Sequence, residues 1–322
     1  MTTSLKGKKG TLISKKADGF IKSLAAILSV GAVFALSLLY PDRIAHSVKS
    51  GLSLCANVII PTVFPFTVLS EFIYCFCDFS SIKCIGSLFE RVFKINKCGI
   101  YPFLLGLTCG FPLGVKVAGQ MYRDGSLTKD EAERIISFCN NTGPAFVICG
   151  IGAGLRGNVA EGIILYLSMV ISALAVGAVL AFGKQQGRSH TSIRHQRPFS
   201  LTEAIKSAGA GTLTVCSYIT FFACAVGMLR AFLSESLPYL LLISFVEVGS
   251  ATSILSKTAL LSDLPSLTLT AFAISFSGFS VHLQAWSMIS DLDLSFSKYL
   301  GAKLLQGLLS ALLVIPMHEI IL

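Results

Sequence analysis

Lys116 stands two residues after Gly114, inside an apolar stretch where an ammonium is out of place. A lone lysine in a membrane span costs about 2.5–3.5 kcal/mol on insertion scales. A position just past Gly110-Phe111-Pro112-Leu113-Gly114 puts it near the start of a helix, where free N–H groups and the positive dipole end attract anions. Lys116 is therefore a candidate anion anchor, against a plainer role as a snorkelling lysine or a partner for an acid such as Glu247. Glu247 lies beside Gly249 and Ser250 in a strongly apolar run. It reads equally as a proton- or cation-coupling carboxylate and as a structural counter-ion. Asn140, Asn141 and Thr142 offer amides and a hydroxyl next to Gly143-Pro144, able to hold a solute or to satisfy freed backbone.

A third polar group lies near the C-terminus, where Ser277-Gly278 is followed by His282 and Gln284. His282 could carry a proton near neutral pH, although a packed histidine fits the position as well. Gly110, Pro112, Gly114, Gly249 and Ser250 complete the candidate solute-binding set, with Glu247 and His282 as coupling candidates. No HExxH, GxSxG, Walker A or dinucleotide fingerprint is present, and no Ser, His and Asp fall at triad spacing. The ten cysteines lack paired CxxC spacing, and most sit in or beside apolar runs as small packing residues. Neither an enzyme, a cofactor, a metal site nor a disulfide framework is expected.

The elements that position these groups are membrane helices. The 322 residues are 53% hydrophobic and only 13% charged, against about 25% charged in a soluble domain. Mean hydropathy is +0.74. Several runs of about 20 apolar residues identify a polytopic all-α membrane protein. The net charge of +9 falls in short segments between apolar runs, as the positive-inside rule requires, without the aromatic interleaving of a nucleic-acid groove. Residues 1–22 read as a basic cytosolic tail with six lysines. A first span follows at 20–39, ended by Pro41 and retained rather than cleaved. A second span at 52–76 leads into a basic loop, 77–99. Two interrupted runs, 100–122 and 132–156, precede a smooth span at 161–182, and a basic linker covers 183–199. The second half has runs at 204–233, 237–260, 266–289 and 298–320. Thr128-x-x-Glu131 and Ser200-x-x-Glu203 read as capping boxes opening helices.

The halves share a pattern at an offset of 137 or 138 residues. It places Gly110–Gly114 near Glu247–Ser250, Asn140-Asn141 on Ser277-Gly278, and 161–182 on 298–319. If 100–122 enters and leaves on one face as a re-entrant hairpin, segments 1–22, 77–99, 123–134 and 183–206 become cytosolic together. They hold 18 of the 26 Lys and Arg residues, which a single crossing would split between the two sides. Three crossings per repeat then make 51–182 and 200–322 inverted repeats, after a first helix and loop at 23–50. The fold expected is two inverted repeats with re-entrant hairpins and discontinuous helices.

Gly110-Phe111-Pro112-Leu113-Gly114-Val115-Lys116, Glu133-Arg134 and Ser137-Phe138-Cys139-Asn140-Asn141-Thr142-Gly143-Pro144 resemble the YlbJ-type sporulation integral membrane proteins, whose domain is called the nucleoside-recognition or Gate domain. Ser275-Phe276-Ser277-Gly278-Phe279-Ser280 and Gln284 carry the resemblance into the second half. Phe111 stands where such proteins often carry Tyr, and Asn-Asn-Thr-Gly where Asn-Ser is usual. The resemblance implies a protein of the mother-cell-derived membrane around a developing spore, concerned with moving dipicolinic acid. It also implies a layout similar to concentrative nucleoside transporters.

The function expected is a transporter or facilitator of a small organic anion, dipicolinate being the one implied. The alternatives are a nucleoside or other neutral-solute transporter and a non-transporting sporulation scaffold. Partners expected are the solute and the lipid bilayer but not nucleic acid, with room for a coupling ion and a homo-oligomer.

Overall fold

A computed structural model describes residues 38–76, 83–184 and 200–321. The basic tail 1–22, nearly all of the first span 20–39, and most of the linker 183–199 lie outside the described residues. The chain is all-α, with thirteen α-helices and no strand among the described residues. Val159–Ala181, Leu201–Arg230, Asp263–Ser287 and Phe296–Ile321 are each long and apolar enough to cross a membrane.

Helix α1 (Pro41–Leu54) passes through a π-helical turn, Cys55–Ile59, into α2 (Ile60–Phe76). Pro41 was expected to end a span. Helix is present at 38–39 and stops at the bend of Tyr40, and Pro41 then opens α1, because a proline in the first turn forfeits an N–H that has no intrahelical partner anyway. The basic loop expected at 77–99 is corrected: α3 (Lys83–Phe93) occupies much of it. Phe89 and Phe93 of α3 pack into an aromatic cluster with Phe103 and Phe138, the Phe93 and Phe138 rings stacked at 5.1 Å.

Next come α4 (Ile100–Thr108), α5 (Leu113–Arg123), α6 (Lys129–Cys139), the π-helical segment Ala145–Leu155 and α7 (Val159–Ala181). The same order of short, broken and long elements recurs as α9 (Leu237–Val246), α10 (Val248–Leu255), α11 (Asp263–Phe276), α12 (Gly278–Ser287) and α13 (Phe296–Ile321). Between the two sets, α8 (Leu201–Phe232) runs alongside α1 and α2, while α13 packs on α11, α7 and α6. Thr128 and Glu131 form the expected capping box at the start of α6. At α8, Ser200 Oγ accepts from the Glu203 N–H at 3.3 Å.

Charges gather at two ends. Arg123 meets Asp291, Lys129 meets Asp293, Lys298 meets Glu133, and Asp130 bridges Arg134 and Lys184. Asp291 and Asp293 thus neutralise the turn between α5 and α6. A second group joins Arg156 to Glu161 and to Ser266 Oγ. The groups sit at opposite ends of the 23-residue α7, roughly 34 Å apart at 1.5 Å per residue. That separation suits a hydrocarbon layer of about 30 Å.

Candidate functional site

Four helix breaks converge near the middle of the bundle. The first, between α4 and α5, turns through Gly110, whose φ is +84°. A Cβ there would lie 2.8 Å from the Gly143 nitrogen, so only glycine lets the first break press on the second. Thr142 of the second break donates its hydroxyl to the Ile274 carbonyl at 2.9 Å. Ser277 of the fourth donates to the same carbonyl at 3.1 Å. Gly278 sits against Val246 and Glu247 of the third break, where a Cβ would be 3.2 Å from the Glu247 nitrogen. The four form a continuous chain of contacts.

The breaks border a cavity of about 60 Å³. At roughly 15 Å³ or less per water, it has room for a few water molecules or one small solute fragment. Thr108, Gly110 and Phe111 line it from the first break, Thr142, Gly143 and Phe146 from the second, and Glu247 and Gly249 from the third. Ile59, Phe66, Ile219 and Val281 close it with apolar surface. Glu247 is only 2% exposed. Its carboxylate accepts from the Gly249 N–H at 2.8 Å and from the Ser250 N–H. It thereby fills the amide-rich start of α10, where an anion is favoured.

Lys116 does not pair with Glu247. Its Nζ lies 3.0 Å from Glu71 Oε1 and 3.0 Å from Ser207 Oγ, in the first full turn of α5 and outside the cavity lining. Glu71 and Ser207 are the partners that hold Lys116 against α2 and α8. Pro112 caps α5, and Gly114 packs beneath the Cys139 carbonyl, 2.6 Å from where its Cβ would be. Both act as scaffold for the first break.

Asn140 and Asn141 face away from the cavity into a fully buried polar core. Backbone freed by the second break must find partners there. Lys303 Nζ donates to the Asn140 carbonyl and to Gln306 Oε1, both at 2.7 Å. Gln306 Nε2 donates to Asn141 Oδ1 at 2.8 Å. Asn140 Nδ2 donates to the Tyr299 hydroxyl at 2.7 Å, and His282 Nδ1 lies 3.0 Å from that same hydroxyl. His282 Nε2, Asn140 Oδ1 and both amide atoms of Gln284 are buried with no hydrogen-bond partner among the described residues.

Sequence reasoning missed Lys303, Gln306 and Tyr299, having read 298–320 as a smooth span. The signal was present: Tyr299, Lys303, Gln306 and Ser310 recur at helical spacing on one face, and a lysine in an apolar run carries the same insertion cost as Lys116. Chemically, the arrangement offers a small chamber with one carboxylate and aromatic walls, backed by a cationic polar core.

No family model matches the chain, and no solved structure does. The chain is similar to the sporulation integral membrane protein YlbJ of Bacillus subtilis (strain 168), at 26% identity over 320 aligned positions covering 85% of this chain and 78% of that protein. This likeness supports a YlbJ-type assignment and, with the four apolar helices, a multi-pass membrane protein. No family match stands behind the nucleoside-recognition domain.

Proposed function

We propose that this protein carries a small organic solute across a membrane, with the solute held in the chamber between the helix breaks. The observation that supports it best is the cavity lining, which draws on three breaks from two distant parts of the chain. Unwound backbone at membrane depth is tolerated where it borders a cavity, and transporters place their solutes at such positions. The ion pairs favour inverted repeats with re-entrant hairpins. The pairs at the two ends join segments that this arrangement puts on the same side: 123–134 with 184 and 291–298, and 156–161 with the start of α11. The basic face is the cytosolic one under the positive-inside rule.

The solute proposed is a planar small organic acid, dipicolinate first. The likeness to a sporulation protein supports the setting, in which the membrane is the mother-cell-derived one around the forespore. Phe111 and Phe146 offer flat apolar walls. The α10 N–H pair already holds one carboxylate, that of Glu247, so a solute carboxylate has a preformed place once Glu247 swings aside. Lys116 stays near the first break as a second attraction, after release from Glu71.

A neutral solute such as a nucleoside is the second reading, favoured by the same Glu247, because the lining includes a carboxylate and no cation. Uptake into proteoliposomes decides between them. Saturable dipicolinate uptake, reduced at least tenfold by Thr142→Val and opened to competition by chloride in Glu247→Ala, supports the first reading. Competition by nucleosides alone supports the second. Absence of any solute flux, with sporulation retained by variants at the breaks, leaves a membrane scaffold.

A further inference from the structure

Lys303 is 0% exposed, yet no acidic side chain among the described residues pairs with it. Its two hydrogen-bond partners, the Asn140 carbonyl and Gln306 Oε1, are both neutral. A buried ammonium is ordinarily accompanied by a carboxylate, because desolvating a lone charge is expensive. Beside Gln306 Oε1, the compensation among the described residues is the carbonyl end of α6, where a cation is favoured.

The groups facing Lys303 can be named element by element. From α6 comes the Cys139 thiol and from α12 His282, which lies 3.0 Å from the Tyr299 hydroxyl of α13 itself. The acid of α7, Glu161, is held by Arg156 at the far end, and Tyr166 donates to the Leu107 carbonyl. On α11 the one acid is Asp263, at its first residue.

An ammonium has three N–H donors and a neutral amine has two. Lys303 makes two hydrogen bonds as a donor, so both charge states fit the same pocket. A proton is also the one ligand that needs no cavity. We propose that Lys303 is a proton-binding site and that a proton, rather than a metal cation, is the coupling ligand. In the closed form the ammonium holds the end of α6 at the second break. When that break opens, the Nζ–H bond releases its proton to admitted water, leaving a neutral amine with a weaker hold on the Asn140 carbonyl. Reprotonation from the other side restores the grip. Proton and solute therefore travel in the same direction.

What the proton drives rests on the transport reading, but its binding does not, so two measurements separate them. The first is thermal unfolding of purified wild type and Lys303→Met across roughly pH 5 to 9, a range spanning the ordinary histidine value. Methionine preserves the chain length without the charge but leaves the Asn140 carbonyl and Gln306 Oε1 without this donor, so the pH dependence of the difference, rather than its size, is read, and Lys303→Gln, which keeps a donor, is measured beside it. A pH-dependent difference between the curves is expected, retained in the His282→Gln background. Parallel curves overturn the proposal. The second uses vesicles with an imposed pH difference. One proton per solute supports up to about tenfold accumulation on the alkaline side per pH unit. Wild type should concentrate solute while Lys303→Met and Lys303→Gln only equilibrate it. Equal accumulation by wild type and variants overturns the proposal. A pH dye inside wild-type vesicles reads the same event without any variant, and solute flux that leaves internal pH unmoved overturns it too. If wild type moves no solute, the transport reading fails and the unfolding curves still decide the proton site.

Discussion

Replacing Gly106 with alanine tests how tightly α4 is fitted to the second break. A Cβ at Gly106 would lie 1.7 Å from the Cys139 carbonyl oxygen and 2.9 Å from its carbon. Both are backbone atoms of the last turn of α6, so no side chain can rotate away. Reaching a normal contact requires α4 to part from α6 by roughly 1.3 Å, given the 3.0 Å floor of real Cβ contacts. Overpacking a core by one methyl costs about 1–3 kcal/mol. Because backbone must yield here, we expect Gly106→Ala at or above the upper end. Gly301→Ala, on α13 with nothing within 4 Å of its Cβ, is the control. It should leave stability unchanged or raise it by about 0.5–1 kcal/mol through helix propensity. Equilibrium unfolding in mixed micelles measures both. If Gly106→Ala unfolds within about 0.5 kcal/mol of wild type, the packing of α4 on the second break described above is wrong.

Truncating the cap by Glu247→Ala should lower stability by about 1 kcal/mol, while Glu247→Gln, which keeps one acceptor, should lose less in the same unfolding assay. Lys116→Met or Glu71→Gln alone strands a charge only about one-fifth exposed and should cost about 1–3 kcal/mol, between exposed and buried pairs. The double variant should recover part of the loss, and strictly additive losses would show that the pair does not interact. At the basic end, burial pushes the Asp130 carboxyl up, but Lys184 and Arg134 more than offset it and hold it below the usual range. Arg123 likewise lowers Asp291 by its hydrogen bond. Both folded-state values are depressed, so their contribution is present above the unfolded carboxylate value of about 4 and lost as pH falls through the folded one. Acid unfolding below about pH 4 should therefore become shallower in Asp130→Asn and Asp291→Asn.

The breaks were legible because glycine, proline and paired amides inside apolar runs have few other uses. Gly110, Thr142, Glu247 and Gly278 all fall where helices stop. The cap at Thr128 was legible because its chemistry is local. Partnerships were not: Glu71 is 45 residues from Lys116, and Lys303 is 163 from Asn140. Pro41 marks a boundary on both sides, with helix stopping at 39 and α1 beginning at Pro41. One local signal pointed the wrong way. In and just after α3, Lys83, Arg91, Lys94 and Lys97 outweighed a helical stripe made by Ile85, Phe89, Val92 and Phe93, whose aromatic members bury against α4 and α6.

Glu247 sits on the very amides that an incoming acid would want. A vacant chamber with those donors bare would welcome chloride or any passing phosphate, dissipating gradients across the bilayer. If the chamber carries solute as proposed, this side chain acts as a stopper that keeps the resting protein silent toward such ions, and a ligand must outcompete a tethered carboxylate to start the cycle. Selectivity then comes from competition with an internal rival, as much as from the shape of the walls.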